Sequence, residues 1–153
     1  MTNDNIAGLF AYDIEALYKT KPDFKIITFE NGAQPDEAIT YKDIFTKGCK
    51  LAAALKNAGI GKGDRFSAIM RNHPEFVYSL MAASLTGAVL VPIDPRSKGG
   101  KLTYQLKDSG SKGIIFSNEF STEVNIALKI LDDVEVIGIV YKPGFDTLRQ
   151  DEY

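Results

Sequence analysis

The segment with the most chemical potential is Pro92-Ile-Asp-Pro-Arg-Ser-Lys-Gly-Gly-Lys101, which holds three basic side chains and one acid, Asp94. It follows a predicted parallel strand and precedes a predicted helix, which is where open α/β sheets bind ligands. Gly99 and Gly100 would let an anion approach the free N–H groups at the start of that helix. From the residues alone a solvated basic loop is the favoured interpretation, and an anion-binding loop is the alternative.

Other residues of reactive type do not form a site. The only histidine, His73, is expected to neighbour a helix cap rather than to act as a base, which would need an oriented partner. Cys49 lies among small apolar residues of a predicted helix and is expected to be an inert buried thiol. No histidine or cysteine cluster has metal-ligand spacing, so no metal site is expected in this chain.

The stretch Ser109-Gly-Ser-Lys-Gly113 has the composition of a phosphate loop but the wrong position. A phosphate loop follows a strand and opens a helix. This stretch closes a predicted helix and leads into a predicted strand, so we expect it not to bind phosphate.

The elements that must position these residues alternate between strand and helix from residue 64 onward. Short apolar runs begin near residues 66, 88, 113 and 134, a spacing of roughly twenty residues. A parallel strand with its crossover helix needs about that length. Continuous apolar runs such as Gly87–Ile93 predict strands that are buried on both faces. The sequence thus predicts an α/β fold with a largely parallel sheet and helical crossovers.

The residues before this region predict a helix and a small hairpin. Apolar residues over 4–19 follow helical spacing, and 24–39 reads as two strands that turn at Asn31-Gly32. Thr40 and Asp43 have the spacing of a capping box, which predicts that the next helix begins there.

Composition sets the class of protein. The chain has 153 residues, of which 44% are hydrophobic and 25% charged, values typical of one globular domain and not of a disordered chain. Its net charge of −2 lacks the positive excess that nucleic-acid binding needs. The uncharged stretch 79–93 is too short and too interrupted by polar residues, glycine and proline for a membrane span. The first five residues lack the features of a signal peptide, and a single cysteine suits a reducing compartment, so we expect a cytoplasmic protein.

Several segments, taken in order, carry a family resemblance. They are Ile39-Thr-Tyr-Lys-Asp-Ile44, Gly59-Ile-Gly-Lys-Gly-Asp-Arg65, Arg71-Asn-His-Pro-Glu-Phe76, Gly87-Ala-Val-Leu-Val-Pro-Ile-Asp-Pro-Arg96 and Tyr104-Gln-Leu-Lys-Asp-Ser-Gly110. This ordered set resembles the N-terminal portion of AMP-forming adenylate synthetases, which include acyl-CoA synthetases, luciferases and peptide-synthetase adenylation domains. The resemblance covers roughly residues 10 to 141.

The resemblance implies an acid–thiol ligase as the full-length protein. Such enzymes join a carboxylic acid to ATP as an acyl-adenylate with Mg²⁺, release pyrophosphate, and pass the acyl group to a thiol, usually that of coenzyme A. Residues 1–153 would then be the N-terminal subdomain of the large domain of an AMP-binding acid–CoA ligase. The family's Ser/Thr/Gly-rich loop and its C-terminal lysine fall outside the chain. We therefore expect no catalytic residue here, no activity of this chain alone, and no tight binding of ATP, Mg²⁺ or coenzyme A to it.

One binding residue follows from the resemblance. In some CoA ligases of the family, the arginine of an Asn-Pro-Arg stretch helps to bind the nucleotide phosphates of coenzyme A, and Arg96 occupies that position. A guanidinium suits the task because its planar fork can hold two phosphate oxygens. Here Asp94 replaces the commoner asparagine, and Lys98-Gly-Gly-Lys101 replaces an acidic segment.

Two alternatives stay open. The Asp-Pro form also occurs in peptide-synthetase adenylation domains, so the acceptor could be the thiol of a carrier protein instead of coenzyme A. The chain could also be a free-standing, non-catalytic α/β module that binds a nucleotide or a protein. The charged residues 147–153 fit either a natural end or a cut in an exposed loop. These residues do not specify the acid, and exposed surface would permit self-association.

Overall fold

Helices and strands alternate along most of the chain. The structure is a computed structural model that describes residues 6–31 and 35–141, and it describes side chains from residue 10 onward. The elements are α1 Ile6–Thr20, β1 Lys25–Phe29, β2 Glu37–Thr40, α2 Tyr41–Asn57, β3 Arg65–Ile69, α3 Pro74–Thr86, β4 Val89–Pro92, α4 Gly99–Ser109, β5 Ser111–Ser117, α5 Ser121–Leu128 and β6 Glu135–Val140. A 3₁₀ turn over Asn118–Phe120 leads into α5.

The strands form two sheets. β1 and β2 pair antiparallel, and the second sheet has the order β4-β3-β5-β6. Within it, β3 is parallel to β5 with Phe66 opposite Gly113, and β5 is parallel to β6. The predicted α/β fold with a parallel sheet, preceded by a helix and a hairpin, is confirmed. The glycine of the predicted Asn31-Gly32 turn lies outside the described residues.

The burial on both faces that was expected for the apolar run Gly87–Ile93 is wrong for β4. Val89 is 49% exposed, and no residue of β4 is fully buried, because this strand lies at an edge of the sheet. β5 has neighbours on both sides, and Ile114 and Phe116 are almost completely buried. An apolar run permits burial, but the strand order decides which run is covered.

Contacts between Cα atoms divide the chain into two compact units, and the first comprises Met1–Asp64 with Asn72–Leu90. In this unit α1 packs on α2 and α3, which also pack on each other. The apolar core beneath them includes Ile14, Phe29, Ile39, Ile44 and Met81.

The start of α2 has the predicted cap. The Thr40 hydroxyl accepts a hydrogen bond from the Asp43 N–H at 3.2 Å, and the Asp43 carboxylate accepts one from the Thr40 N–H at 3.0 Å. Without these two side chains, the backbone N–H groups of Thr40 and Asp43 would lack hydrogen-bond partners at the helix start. The capping box is therefore confirmed, with aspartate in the place that glutamate commonly takes.

The second unit comprises Arg65–Arg71 with Val91–Tyr153. Its core lies between the sheet and the helices α4 and α5, which pack on each other, and includes Ile69, Leu102, Leu106, Phe116 and Val124.

Buried hydroxyl groups also occur in the second unit. Ser67 and Ser111, on neighbouring strands, lie 2.6 Å apart, and Ser111 is also 2.9 Å from Ser109. The hydrogen bond between the Ser67 and Ser111 hydroxyls offsets the cost of burying them, and the half-buried Ser109 hydroxyl also donates to the Leu106 carbonyl at 3.1 Å.

Candidate functional site

The loop between β4 and α4, residues 93–98, lies at the carboxyl end of the parallel strands in the second unit. Its first residue, Ile93, is buried and donates its backbone N–H to the Ala68 carbonyl at 2.9 Å. That bond fixes the start of the loop to β3. The rest of the loop rises from the edge of the sheet where α/β proteins bind ligands, as the sequence predicted.

Arg96 and Asp94 form a closed pair within this loop. The Arg96 Nε–H donates to both carboxylate oxygens, at 3.1 and 3.3 Å, and Nη2 donates to Oδ2 at 2.8 Å. The Arg96 backbone N–H donates to Oδ1 at 2.9 Å. These hydrogen bonds from Arg96 lower the pKa of Asp94 to about 2. The Arg96 side chain is nevertheless 89% exposed, so the guanidinium stays open to a ligand.

The start of α4 is partly occupied by another side chain. Gly99 has a φ of +51°, a conformation that favours glycine, and its N–H donates to the Glu123 carboxylate at 3.1 Å. The expectation that this N–H is free for an anion is therefore wrong. Glu123 lies on α5, and the contact depends on the packing of α5 against α4.

The electrostatics of the loop still favour an anion. Arg96, Lys98 and Lys101 carry three positive charges against the carboxylates of Asp94 and Glu123. Lys101 acts on Asp94 through space and helps to keep its carboxylate charged. The excess positive charge is modest, so the loop suits a weakly held, solvent-accessible phosphate group more than a buried one.

A second arginine at the carboxyl edge was not predicted as a site residue. Arg71 lies two residues beyond β3, and Glu119 lies two residues beyond the neighbouring strand β5. Arg71 Nε donates to Glu119 Oε2 at 3.0 Å, and the Ser117 hydroxyl donates to Oε1 at 3.4 Å. The sequence did contain one signal for this pair: a charged residue follows each of two predicted parallel strands, and the ends of parallel strands meet at the same edge of a sheet.

His73 and Cys49 both lie in the first unit. His73 is the N-cap residue of α3 and is buried, although its side chain does not make the capping hydrogen bond. Cys49 lies in α2 and is half-buried, not fully buried as expected. Burial raises the pKa of its thiol, as does the negative charge of Glu15, so it is a poor nucleophile.

The stretch Ser109–Gly113 ends α4 and begins β5, in the order predicted from sequence. The Ser109 and Ser111 hydroxyls bond to each other, and the Gly110 carbonyl accepts a hydrogen bond from Arg65 Nε at 3.4 Å. This stretch therefore lies at the amino edge of the sheet and is used in structural contacts.

Among the described residues, no three His, Cys, Asp or Glu side chains are grouped so that they could hold a metal ion. In the same part of the chain, no helix is both long and apolar enough to cross a membrane.

Fold and loop together define the class of protein: an α/β unit whose parallel sheet carries an arginine-bearing loop at its carboxyl edge. Comparison with known sequences is more specific. Residues 14–152 match the family described as AMP-binding enzyme. This match takes in nearly the whole chain, which therefore belongs to the AMP-binding enzyme family.

Two relatives show what the chain is similar to. It is 32% identical over 144 residues to an acetyl-coenzyme A synthetase of Methylobacterium radiotolerans, a match that covers 86% of this chain and 22% of the relative. It is 30% identical over 132 residues to a 2-succinylbenzoate–CoA ligase of Oceanobacillus iheyensis, covering 86% of this chain and 26% of the relative. The chain thus spans about a quarter of the length of these relatives.

A solved structure supports the fold. A benzoate CoA ligase from Burkholderia xenovorans superimposes with a TM-score of 0.72 over 83% of this chain and 25% of that chain. At 20% identity this likeness shows the fold alone.

Proposed function

We propose that this chain is the N-terminal part of an AMP-forming acid–CoA ligase, an acid–thiol ligase as the full-length protein. The family match over residues 14–152 carries the proposal. Such a ligase would activate a carboxylic acid with ATP to an acyl-adenylate and then form a thioester with coenzyme A. The chain spans about a quarter of its relatives, so residues 1–153 would be one subdomain of a larger catalytic domain.

The chain alone is proposed to be inactive, because its role would be to support one wall of a site completed by other residues. Within the described region, the buried polar groups are mostly used in structural contacts, as with Ser67 and Ser111. Its cofactors and substrates, ATP, Mg²⁺ and coenzyme A, would be held mainly by the rest of the enzyme. A cytoplasmic location fits substrates of this kind.

Arg96 is proposed as a contact for the nucleotide phosphates of coenzyme A. Its position after a parallel strand, its exposed guanidinium and the positive charge of the loop support this assignment. The Arg96 side chain is exposed to solvent. This suits coenzyme A, which would bind after the acyl-adenylate has formed and would leave as the thioester.

The first experiment compares the two half-reactions in the full-length protein. Arg96→Ala is expected to raise the KM for coenzyme A about tenfold, because hydrogen bonds to charged groups are lost, while acid-dependent pyrophosphate release stays unchanged. Lys107→Ala is the matched control, because it removes one exposed positive charge at the far end of α4. Equal effects of both variants would contradict a specific role for Arg96.

The second experiment tests the 153-residue chain itself. With ATP and a panel of aliphatic and aromatic acids, it is expected to release no pyrophosphate above a no-protein control. Formation of an acyl-adenylate by the purified chain would overturn the proposed division of labour.

We propose coenzyme A as the acceptor of the acyl group, on the basis of the relatives that the chain resembles. Those that match 86% of this chain include an acetyl-coenzyme A synthetase and a CoA ligase, and this favours coenzyme A over a carrier protein. Acyl transfer from the full-length protein to free coenzyme A would support this choice. Transfer only to a phosphopantetheine-bearing protein would favour an adenylation domain, and the absence of ATP-dependent chemistry would favour a non-catalytic binding module.

A further inference from the structure

Arg96 presents only part of its hydrogen-bonding capacity to solvent. A guanidinium has five N–H donors in a fixed fork. Asp94 takes the Nε–H and one Nη2–H, at distances of 2.8 to 3.3 Å. The remaining three donors lie on the Nη side, and the side chain is 89% exposed. One edge of Arg96 is thus closed by a carboxylate and the other is open.

The closed edge is held by the backbone as well as by charge. Asp94 Oδ1 also accepts the Arg96 backbone N–H at 2.9 Å, and the Ser97 N–H donates to the Asp94 carbonyl at 2.8 Å. Pro95, between the two residues, has a φ restricted by its ring. The carboxylate therefore sits in a tight turn, and it aligns a long side chain that would otherwise sample many rotamers.

The same carboxylate opposes the binding of an anion. A phosphate dianion on the open edge would lie about 6 Å from the Asp94 charge. In water, that repulsion weakens binding roughly tenfold at low ionic strength, and about threefold at 0.15 M salt because of screening. An asparagine would keep an acceptor oxygen for the N–H groups of Arg96 but would carry no charge.

We infer that Asp94 is a positioning residue that sets the phosphate affinity of this loop: it aims the Nη edge of Arg96 at a phosphate dianion and weakens the attraction between them. The inference rests on the proposed role of Arg96 and extends it to a residue that touches no ligand. Its consequence is a loop that binds phosphate weakly and releases it readily.

The test titrates the ¹⁵N-labelled 153-residue chain with inorganic pyrophosphate and, separately, with coenzyme A, following the Arg96 Nε–Hε resonance by NMR. Asp94→Asn is expected to tighten both ligands about tenfold at low salt and about threefold at 0.15 M salt. The control Asp108→Asn removes one exposed charge from α4 and is expected to change affinity less than twofold.

Two further variants separate positioning from charge. Asp94→Ala removes both the charge and the acceptor, so it is expected to bind less tightly than Asp94→Asn and to exchange its Arg96 Nε–H with water faster than the unmodified chain. In an Arg96→Ala background, Asp94→Asn is expected to have a smaller effect, because the anion no longer binds at the Nη edge beside Asp94.

The outcomes distinguish this inference from the proposed function. Weaker binding by Asp94→Asn, an effect equal to that of Asp108→Asn, or no response of the Arg96 resonance to pyrophosphate would overturn the role of Asp94. If Asp94→Asn tightens pyrophosphate binding as expected while Arg96→Ala leaves the affinity for coenzyme A unchanged, the role of Asp94 is supported. The proposed contact between Arg96 and coenzyme A would then be wrong.

Discussion

Gly48 lies in the middle of α2, where alanine would normally be the better residue. Replacing glycine by alanine in a helix interior stabilises it by about 1 kcal/mol. Here, however, a Cβ on Gly48 would lie 2.6 Å from Met81 Cβ on α3 and closer still to Met81 Cγ. Those two atoms are near the backbone of a completely buried side chain, so Met81 cannot simply swing aside.

The expected net effect of Gly48→Ala is destabilisation. Overpacking of this kind costs typically 1–3 kcal/mol, which outweighs the gain in helix propensity. We expect the free energy of unfolding to fall by about 1–2 kcal/mol, and the melting temperature to fall by roughly 3–6 °C. The measurement is urea and thermal unfolding followed by circular dichroism.

The matched control is Gly100→Ala in α4, where an added Cβ meets no atom within 4 Å and φ is not positive. It is expected to stabilise by about 0.5 kcal/mol. Met81→Ala removes Cγ but keeps Cβ, so in that background Gly48→Ala is expected to lose only part of its penalty, with a coupling of about 1 kcal/mol. A Gly48→Ala variant as stable as Gly100→Ala would refute the close packing of α2 on α3.

Three further predictions concern caps, hydroxyls and pH. Thr40→Ala is expected to lower stability by about 1 kcal/mol in urea unfolding, because the capping box at α2 is lost. In the same assay, Ser67→Ala is expected to lower the free energy of unfolding by about 1 kcal/mol, whereas Ser97→Ala is expected to raise it by about as much. Both side chains are buried, but the Ser97 hydroxyl has no hydrogen-bond partner among the described residues. The carboxyl of Asp94, followed by ¹³C NMR, is expected to titrate near pH 2 and to move towards its ordinary 3.8 in Arg96→Ala. Because the pKa of Asp94 is lowered in the folded chain, its pairing with Arg96 stabilises the fold above about pH 4, and this stabilisation is lost as the pH falls through 2. A titration midpoint near pH 4 in the unmodified chain would contradict the pairing.

Much of the fold was predictable because its signals are local. The capping box at Thr40 and the left-handed glycines that close α3 and α4, Gly87 and Gly110, depend on a few neighbouring residues. Helix ends are less sharply fixed: α5 ends at Leu128, and Ile130 and Leu131 both donate to the Ala127 carbonyl in the turn that follows.

The site was predictable in position but not in detail. Residue order placed the Arg96 loop after a strand and before a helix, which is enough to assign it to the carboxyl edge. The occupation of the Gly99 N–H by Glu123 involves residues 24 positions apart, and the Arg71–Glu119 pair spans 48. No local pattern reports such contacts.

The sequence by itself determined the alternation of strands and helices, the caps, and the resemblance to AMP-forming synthetases, because periodicity, capping and ordered motifs are written in neighbouring residues. Only the tertiary structure decided that β4 lies at a sheet edge and is half exposed, and that Gly48 must lack a side chain. Both depend on which elements come to lie side by side, since burial and steric contact are properties of packed neighbours rather than of the run of residues that contains them.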